Sequence, residues 1–287
     1  MNAKTVDARH DANAVLVVDI GGTHVKVGTT RNRLKPLFIE PTPEDAERTL
    51  NLVAELSLAA ARETGRANGA RQRLVCGSGG LITRAGVCTK ALYTPFAGVN
   101  IREELVNRLG GDVHVLNDAS LQAHGVAKLA PNSIVICIGT GVGGAIISEG
   151  RVVVGAHGFA GEIGHALTAY SGTRCECGQL GCLDTVASGF AFEKALGTDW
   201  FNRVNESVEM HLERLAEAVA DSALACAALL DVDAAILVGW PARYAIIRKG
   251  LRLRLSSTYR KVNFFRNGWP LCVMGAQEIN ATHWRNK

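Results

Sequence analysis

The chain has 287 residues, 47% of them hydrophobic and 20% charged, which supports a large buried core and excludes a globally disordered chain. A formal net charge of +4 is small for this length and gives no nucleic-acid surface, since such a surface needs clustered cations. No stretch approaches the roughly 20 apolar residues of a bilayer span, and the opening MNAKTVDARHDANA lacks an apolar signal core, so the expected location is the cytoplasm with no membrane partner.

Residues 14–19 (AVLVVD) are an apolar run closed by an acid and predict a buried strand. The turn GGT follows, then a returning strand, HVKVGTT. Apolar residues at helical spacing predict a helix over 43–65. LVC (74–76) predicts a short strand running into CGSGG, 101–110 a helix, and VHVL (113–116) a strand. The segment 117–130 opens on an Asn–Asp cap and predicts a helix. SIVICIG (133–139) is again a buried strand, TGVGG a glycine turn, and AIISEGRVVVG a hairpin. Helices over 206–230 and 242–255 flank the strand 234–239, and the tail from Gly275 predicts a final helix.

A strand, a glycine turn and a returning hairpin thus occur twice, about 120 residues apart. Two similar α/β lobes facing one another across a ligand cleft would produce this echo. The expected division is 1–118 plus the C-terminal helix 275–287 for one lobe and 119–274 for the other.

The two turns carry phosphate chemistry. Asp19-Ile20-Gly21-Gly22-Thr23 sets an acid, two glycines and a hydroxyl at a strand end, and Gly139-Thr140-Gly141-Val142-Gly143-Gly144 is its counterpart. Glycine lets backbone N–H groups approach phosphate oxygens and supplies the positive φ of tight turns. Asp19 suits Mg²⁺ held through water, and Thr23 a phosphate oxygen. Lys26, on the returning strand, is counted with the phosphate-binding residues, as are Thr140, Gly141 and Gly239. A strand rather than a helix follows GTGVGG, so it is not a dinucleotide-binding fingerprint.

Of eight cysteines, Cys76, Cys88, Cys137, Cys226 and Cys272 are scattered and read as small core residues. Cys175, Cys177 and Cys182 crowd into a glycine-rich C-x-C-x₄-C knuckle, with His165 upstream as a fourth ligand. Three thiolates and an imidazole make a closed, structural zinc set. Asn117-Asp118 caps a helix after a strand, a rigid place for the base that phosphoryl transfer to an alcohol needs.

With these motifs the chain resembles the ROK family, bacterial sugar kinases and related repressors of the actin-like ATPase superfamily, from about Val15 to about Gly189. The resemblance implies a two-lobed actin-like (ribonuclease H-like) α/β fold with a zinc knuckle, and dimers. It implies a phosphoryl transfer from ATP with Mg²⁺ to the 6-hydroxyl of glucose or a close relative, with mannose, fructose and N-acetylhexosamines as alternatives. Asp118 then removes the hydroxyl proton, while Asn117, Glu162 and His165 bind sugar hydroxyls. In the same family position Asp184, where Glu is usual, is expected at the sugar. Gly77-Ser78-Gly79-Gly80 matches a sugar-bordering turn without its proline, and Asn100 matches a sugar-binding segment loosely. The repressors carry a winged helix ahead of the first turn, and only about a dozen residues precede Val15 here, so the kinase branch is expected. A sugar-binding protein with little kinase activity is the other alternative.

Family members usually carry a triple glycine where this chain has Gly239-Trp240-Pro241, against the adenosine. A rearranged nucleotide pocket, with stacking on Trp240, is expected. Nearby, Arg248, Lys249, Arg252, Arg254, Arg260, Lys261 and Arg266 form either a solvated face or a track for polyphosphate.

Overall fold

The computed structural model describes residues 14–63, 72–170, 172–203 and 205–284. The first lobe begins with β1 (Leu16–Ile20), β2 (His24–Thr29), β3 (Phe38–Pro41) and α1 (Ala46–Glu63). It continues through β4 (Arg73–Ser78), a two-stranded ribbon of β5 (Leu81–Ile82) and β6 (Cys88–Lys90), α2 (Ile101–Leu109) and β7 (Asp112–Asn117). After α3 (Asp118–Val126), the second lobe runs β8 (Ser133–Ile138), β9 (Val142–Ser148) and β10 (Arg151–Val152). It then passes through α4 (Asp184–Ala187), α5 (Gly189–Leu196), α6 (Glu206–Leu230), β11 (Ala234–Gly239), α7 (Ala245–Leu255) and β12 (Lys261–Phe265) to α8 (Trp269–Ile279), which continues into a π-helical turn over Asn280–Trp284.

The predicted echo is topological. One sheet has the order β3-β2-β1-β4-β7 and the other β10-β9-β8-β11-β12. In each, three strands form an antiparallel meander and the last two add in parallel. Central strands are solidly apolar because helices cover both faces; every residue of β1 is buried.

Sequence periodicity misses β3 and β12. Both are edge strands: β3 is largely exposed, and β12 is at most half-buried, with exposed Lys261 and Asn263 interrupting its apolar residues. The helix expected from Gly275 starts at Trp269, because Pro270 sits in its first turn, where a missing N–H costs nothing. Of the helix expected over 43–65, 46–63 is helical, and 64–65 lie outside the described residues.

Two helices cross between the lobes. Helix α3 leaves β7 of the first sheet, yet its Ala123, Val126 and Ala127 pack with Val135, Ala145 and Ile236 of the second. Helix α8 leaves β12 of the second sheet, yet Trp269, Cys272 and Val273 pack with Val15, Val17 and Val75 of the first. The exchange is possible because the helices touch through glycine. A Cβ on Gly125 would stand 2.3 Å from the Leu271 carbonyl oxygen, and one on Gly275 2.1 Å from that of Leu121. The crossing point sits directly behind the cleft and fixes where Asp118, the first residue of α3, is held.

Candidate active site

The first corner joins β1 to β2. Asp19 is 4% exposed and lies opposite Lys26 in the antiparallel register. The Lys26 Nζ donates to Asp19 Oδ2 at 2.8 Å, and this partner raises the lysine's pKa. The second corner joins β8 to β9, and the two meet where the Thr23 and Thr140 hydroxyls lie 2.7 Å apart.

Positive φ was the expected reason for the corner glycines, and the structure corrects it. None of Gly21, Gly22, Gly139, Gly141, Gly143 or Gly144 has a positive φ. Close approach is the reason at three of them. A Cβ on Gly22 would meet Tyr93 Cβ at 2.8 Å, one on Gly141 the Tyr93 ring at 2.4 Å, and one on Gly144 the Gly161 carbonyl at 2.7 Å.

Asp118 follows β7 into α3. Its Oδ1 accepts the Ala119 N–H at 2.9 Å, while Asn117 caps the helix by accepting from Ser120 N at 3.1 Å. The Asn117 amide also donates to the Gly80 carbonyl at 3.2 Å, tying this corner to the Gly77–Gly80 turn. Burial, then the nearby Asp19 charge, pushes Asp118 up to about 6. Glu162 is pushed up to about 7 by burial and by Asp118. Glycines press the Glu162 segment onto β9: a Cβ on Gly161 would fall 2.7 Å from Ala145 Cα, and one on Gly164 2.0 Å from the Val142 carbonyl.

Below Glu162, the ligand atoms of His165, Cys175, Cys177 and Cys182 all lie within 4.8 Å of one another. The Cys177 and Cys182 sulfurs are 3.6 Å apart, and Cys175 Sγ is 3.7 Å from His165 Nδ1. Four donors on roughly 2.0–2.3 Å arms around one tetrahedral ion have edges of about that length. The residues therefore fit a structural zinc ion.

One cleft of about 480 Å³ gathers nearly all the expected site residues. Asp19, Gly21, Gly22, Thr23, Lys26 and Gly80 line it from the first lobe, with Asn117 and Asp118 at the crossing. Thr140, Gly141, Glu162, His165, Asp184 and Gly239 line it from the second.

The family model of the ROK family matches residues 15–240. The chain belongs to the ROK family. An N-acetylmannosamine kinase of Vibrio cholerae is 32% identical over 201 residues, 63% of this chain and 69% of that protein. A ROK family glucokinase from Streptomyces griseus, solved with glucose and AMPPNP, superposes with a TM-score of 0.76 at 21% identity over 92% of this chain and 98% of its own. An inorganic polyphosphate/ATP-glucomannokinase from Arthrobacter sp. strain KM gives 0.63 at 25% identity over 94% of this chain and 99% of its own. The fold is the two-lobed actin-like α/β architecture of these ROK proteins.

Against that family background, several expectations change. Asn100 is not in the cleft lining; its side chain accepts from Glu103 N at 3.2 Å and donates to Glu103 Oε2 at 2.8 Å, capping α2. Asp184 lines the cleft, but both its oxygens hold protein donors: Oδ1 the Val142 N–H at 2.7 Å, Oδ2 the Tyr93 hydroxyl at 2.5 Å. Gly239 is irreplaceable, with φ of +114° and a would-be Cβ 2.0 Å from the Ile138 carbonyl. Trp240 stands in an aromatic cluster. It packs 4.7 Å from Trp200 and 5.0 Å from Phe192, and Pro241 begins a helical turn rather than breaking one. With Phe190, Phe201 and Tyr244 it lines a second cavity of about 320 Å³ that shares Thr23, Gly139 and Thr140 with the main cleft.

Motif reading missed Tyr93, Gln122, His24 and Cys137, all in the cleft wall. Cys137 was expected in the core, yet it is half-buried, with its thiol donating to Gln122 Oε1 at 3.2 Å. Tyr93 and Gln122 carried no spacing signal, and Cys137 sits in a continuous apolar strand whose sequence does not set it apart.

Proposed function

We propose that this ROK protein transfers the terminal phosphoryl group of ATP to the 6-hydroxyl of a hexose. One observation carries the reading: Asp118 and Glu162 face the same cleft as both glycine corners. The chain is a phosphotransferase of the sugar-kinase type. Glucose is the acceptor its motifs imply, and N-acetylmannosamine the one named for its curated relatives.

The chemistry follows from the electrostatics. A carboxylate held near 6 is mostly ionised at neutral pH, yet basic enough to take a hydroxyl proton as the acceptor oxygen attacks. Glu162 and His165 orient the sugar by accepting from and donating to its hydroxyls. Asp19 and the corner threonines would hold Mg²⁺ through water, and that ion would neutralise charge on the transferring group. His165, Cys175, Cys177 and Cys182 would hold zinc, which fixes the imidazole. Lobe closure keeps competing water from the phosphoryl group.

The aromatic cavity under Trp240 supports ATP as donor, since it offers ring faces to a purine beside the second corner. The basic run supports polyphosphate poorly. Arg254 pairs with Glu217 at 2.5 Å and Asp221 at 3.9 Å, Arg260 with Asp233 at 3.8 Å, and Arg252 lies 5.2 Å over the Phe264 ring. Three of the seven cations thus have partners within the protein. A phosphorylation assay over glucose, mannose, fructose and N-acetylmannosamine, each with ATP and with polyphosphate, tests the reading. Sugar 6-phosphate formed with ATP supports it; no phosphorylated sugar with any pair overturns it.

A further inference from the structure

Tyr93 stands where the donor's phosphate chain has to pass. It belongs to the loop between β6 and α2 in the first lobe, yet its hydroxyl reaches Asp184 of the second at 2.5 Å. Between these ends its side chain fills the gap between the corners, touching the space a Cβ would need at Gly22 on one side and at Gly141 on the other. Alongside, the Thr23 and Thr140 hydroxyls meet at 2.7 Å. The main cleft, which Tyr93 lines, and the aromatic cavity share Thr23, Gly139 and Thr140. A donor with its base in the aromatic cavity and its terminal phosphoryl at Asp118 runs past those shared residues.

Asp184 adds a second element. Its other oxygen accepts the Val142 N–H at 2.7 Å, a backbone donor of the second corner. Corner N–H groups are what a phosphate chain binds. The carboxylate therefore covers one anion-binding donor with a charge of the protein's own, and the Tyr93 hydroxyl holds that carboxylate in place.

We propose that Tyr93 is the donor gate of this enzyme: its ring and its bond to Asp184 close the corridor between the corners, and a triphosphate enters when that bond opens. The proposal rests on the kinase reading above. Tyr93 is a positioning residue here, acting through Asp184 and the corners. The gate links the lobes as well, so donor entry and lobe opening are one event.

The test compares wild type with Tyr93→Phe, which keeps the ring and removes the bond, and Tyr93→Ala, which empties the corridor. ATP binding to the full chain is read from tryptophan fluorescence, and KM is measured for both substrates. Tyr93→Phe lowers the ATP Kd and KM about three- to tenfold, the worth of one hydrogen bond, and leaves sugar KM within about twofold. Tyr93→Ala also speeds ATP association and raises ATP hydrolysis without sugar. Unchanged or weaker ATP binding by Tyr93→Phe, with the melting temperature of wild type, overturns the gate, as does an effect confined to sugar KM. Wild type that binds ATP but phosphorylates no sugar would remove the kinase reading, and the ATP-binding comparison would still decide the gate.

Discussion

The two ends of the cleft are built on different principles. At the end proposed for the acceptor, Glu162 is pinned by Gly161 and Gly164 against β9, and His165 gathers with three sulfurs in a short knuckle. Its geometry comes from backbone contact and ligand chemistry over a stretch of about twenty residues. At the end proposed for the donor, Phe192, Trp200, Trp240 and Tyr244 meet through packing, with centroids 4.7 to 6.0 Å apart. The lesson is one of tolerance: with zinc in the knuckle the first end would fail as a unit, whereas an aromatic wall would lose affinity ring by ring.

Disrupting the knuckle should separate the ends most sharply. Elemental analysis is expected to give one zinc per chain. Cys182→Ser, or chelation, should weaken sugar binding at least about a hundredfold and lower the melting temperature by several degrees, with ATP binding held within about threefold. Equal losses at both ends would mean that the knuckle supports the whole fold rather than the acceptor end.

Acid should also act on the acceptor end first. Asp118 near 6 and Glu162 near 7 must be ionised to accept protons and hydroxyl bonds, so kcat/KM falls by about tenfold or more per pH unit below 6. Because the two carboxyls interact, the profile reports the pair rather than either residue. Stability runs the opposite way. A folded-state pKa above the unfolded value favours the protonated form, so this contribution is complete below about pH 4 and lost as pH rises through 6 to 7. Asp118→Asn should therefore melt higher than wild type at pH 8, by about 1–2 kcal/mol after allowance for water in the cleft, and equally at pH 4. An identical melting difference at both pH values would contradict the shifted carboxyl.

Smaller effects sharpen the donor side. Trp240→Ala should raise ATP KM about three- to tenfold without moving sugar KM, since it removes one ring from a wall of several. Steady-state kinetics with each substrate varied would show this, and a change in sugar KM alone would place Trp240 on the wrong side. Asn100→Ala should be quietest: about 1 kcal/mol of stability from a lost cap, and sugar KM within twofold.

The same contrast explains what was legible in the sequence. Both sheets announced themselves through apolar runs ending in glycine corners, and the duplicated topology followed from their echo. The edge strands β3 and β12 did not, because an edge open to solvent mixes polar residues among its apolar ones. Spacing alone exposed the knuckle, since three thiols in eight residues have little chemistry open to them but metal. Of the two reasons for the corner glycines, positive φ fails: at Gly22, Gly141 and Gly144 it is crowding by Tyr93 and Gly161, invisible in a linear sequence, that excludes a side chain. Asn100 misled because a helix cap and a sugar ligand call for the same residue. Tyr93 and Gln122 had no local signal at all; tertiary contacts alone bring them to the cleft.

The most direct test of the account is a comparison of turnover and sugar binding in Asp118→Asn with ATP and the best acceptor of the panel. The account predicts a fall in kcat of about 10²–10⁴ with sugar Kd within about threefold of wild type. Turnover equal to wild type would contradict it, because no carboxylate at the head of α3 would then be taking the acceptor's proton.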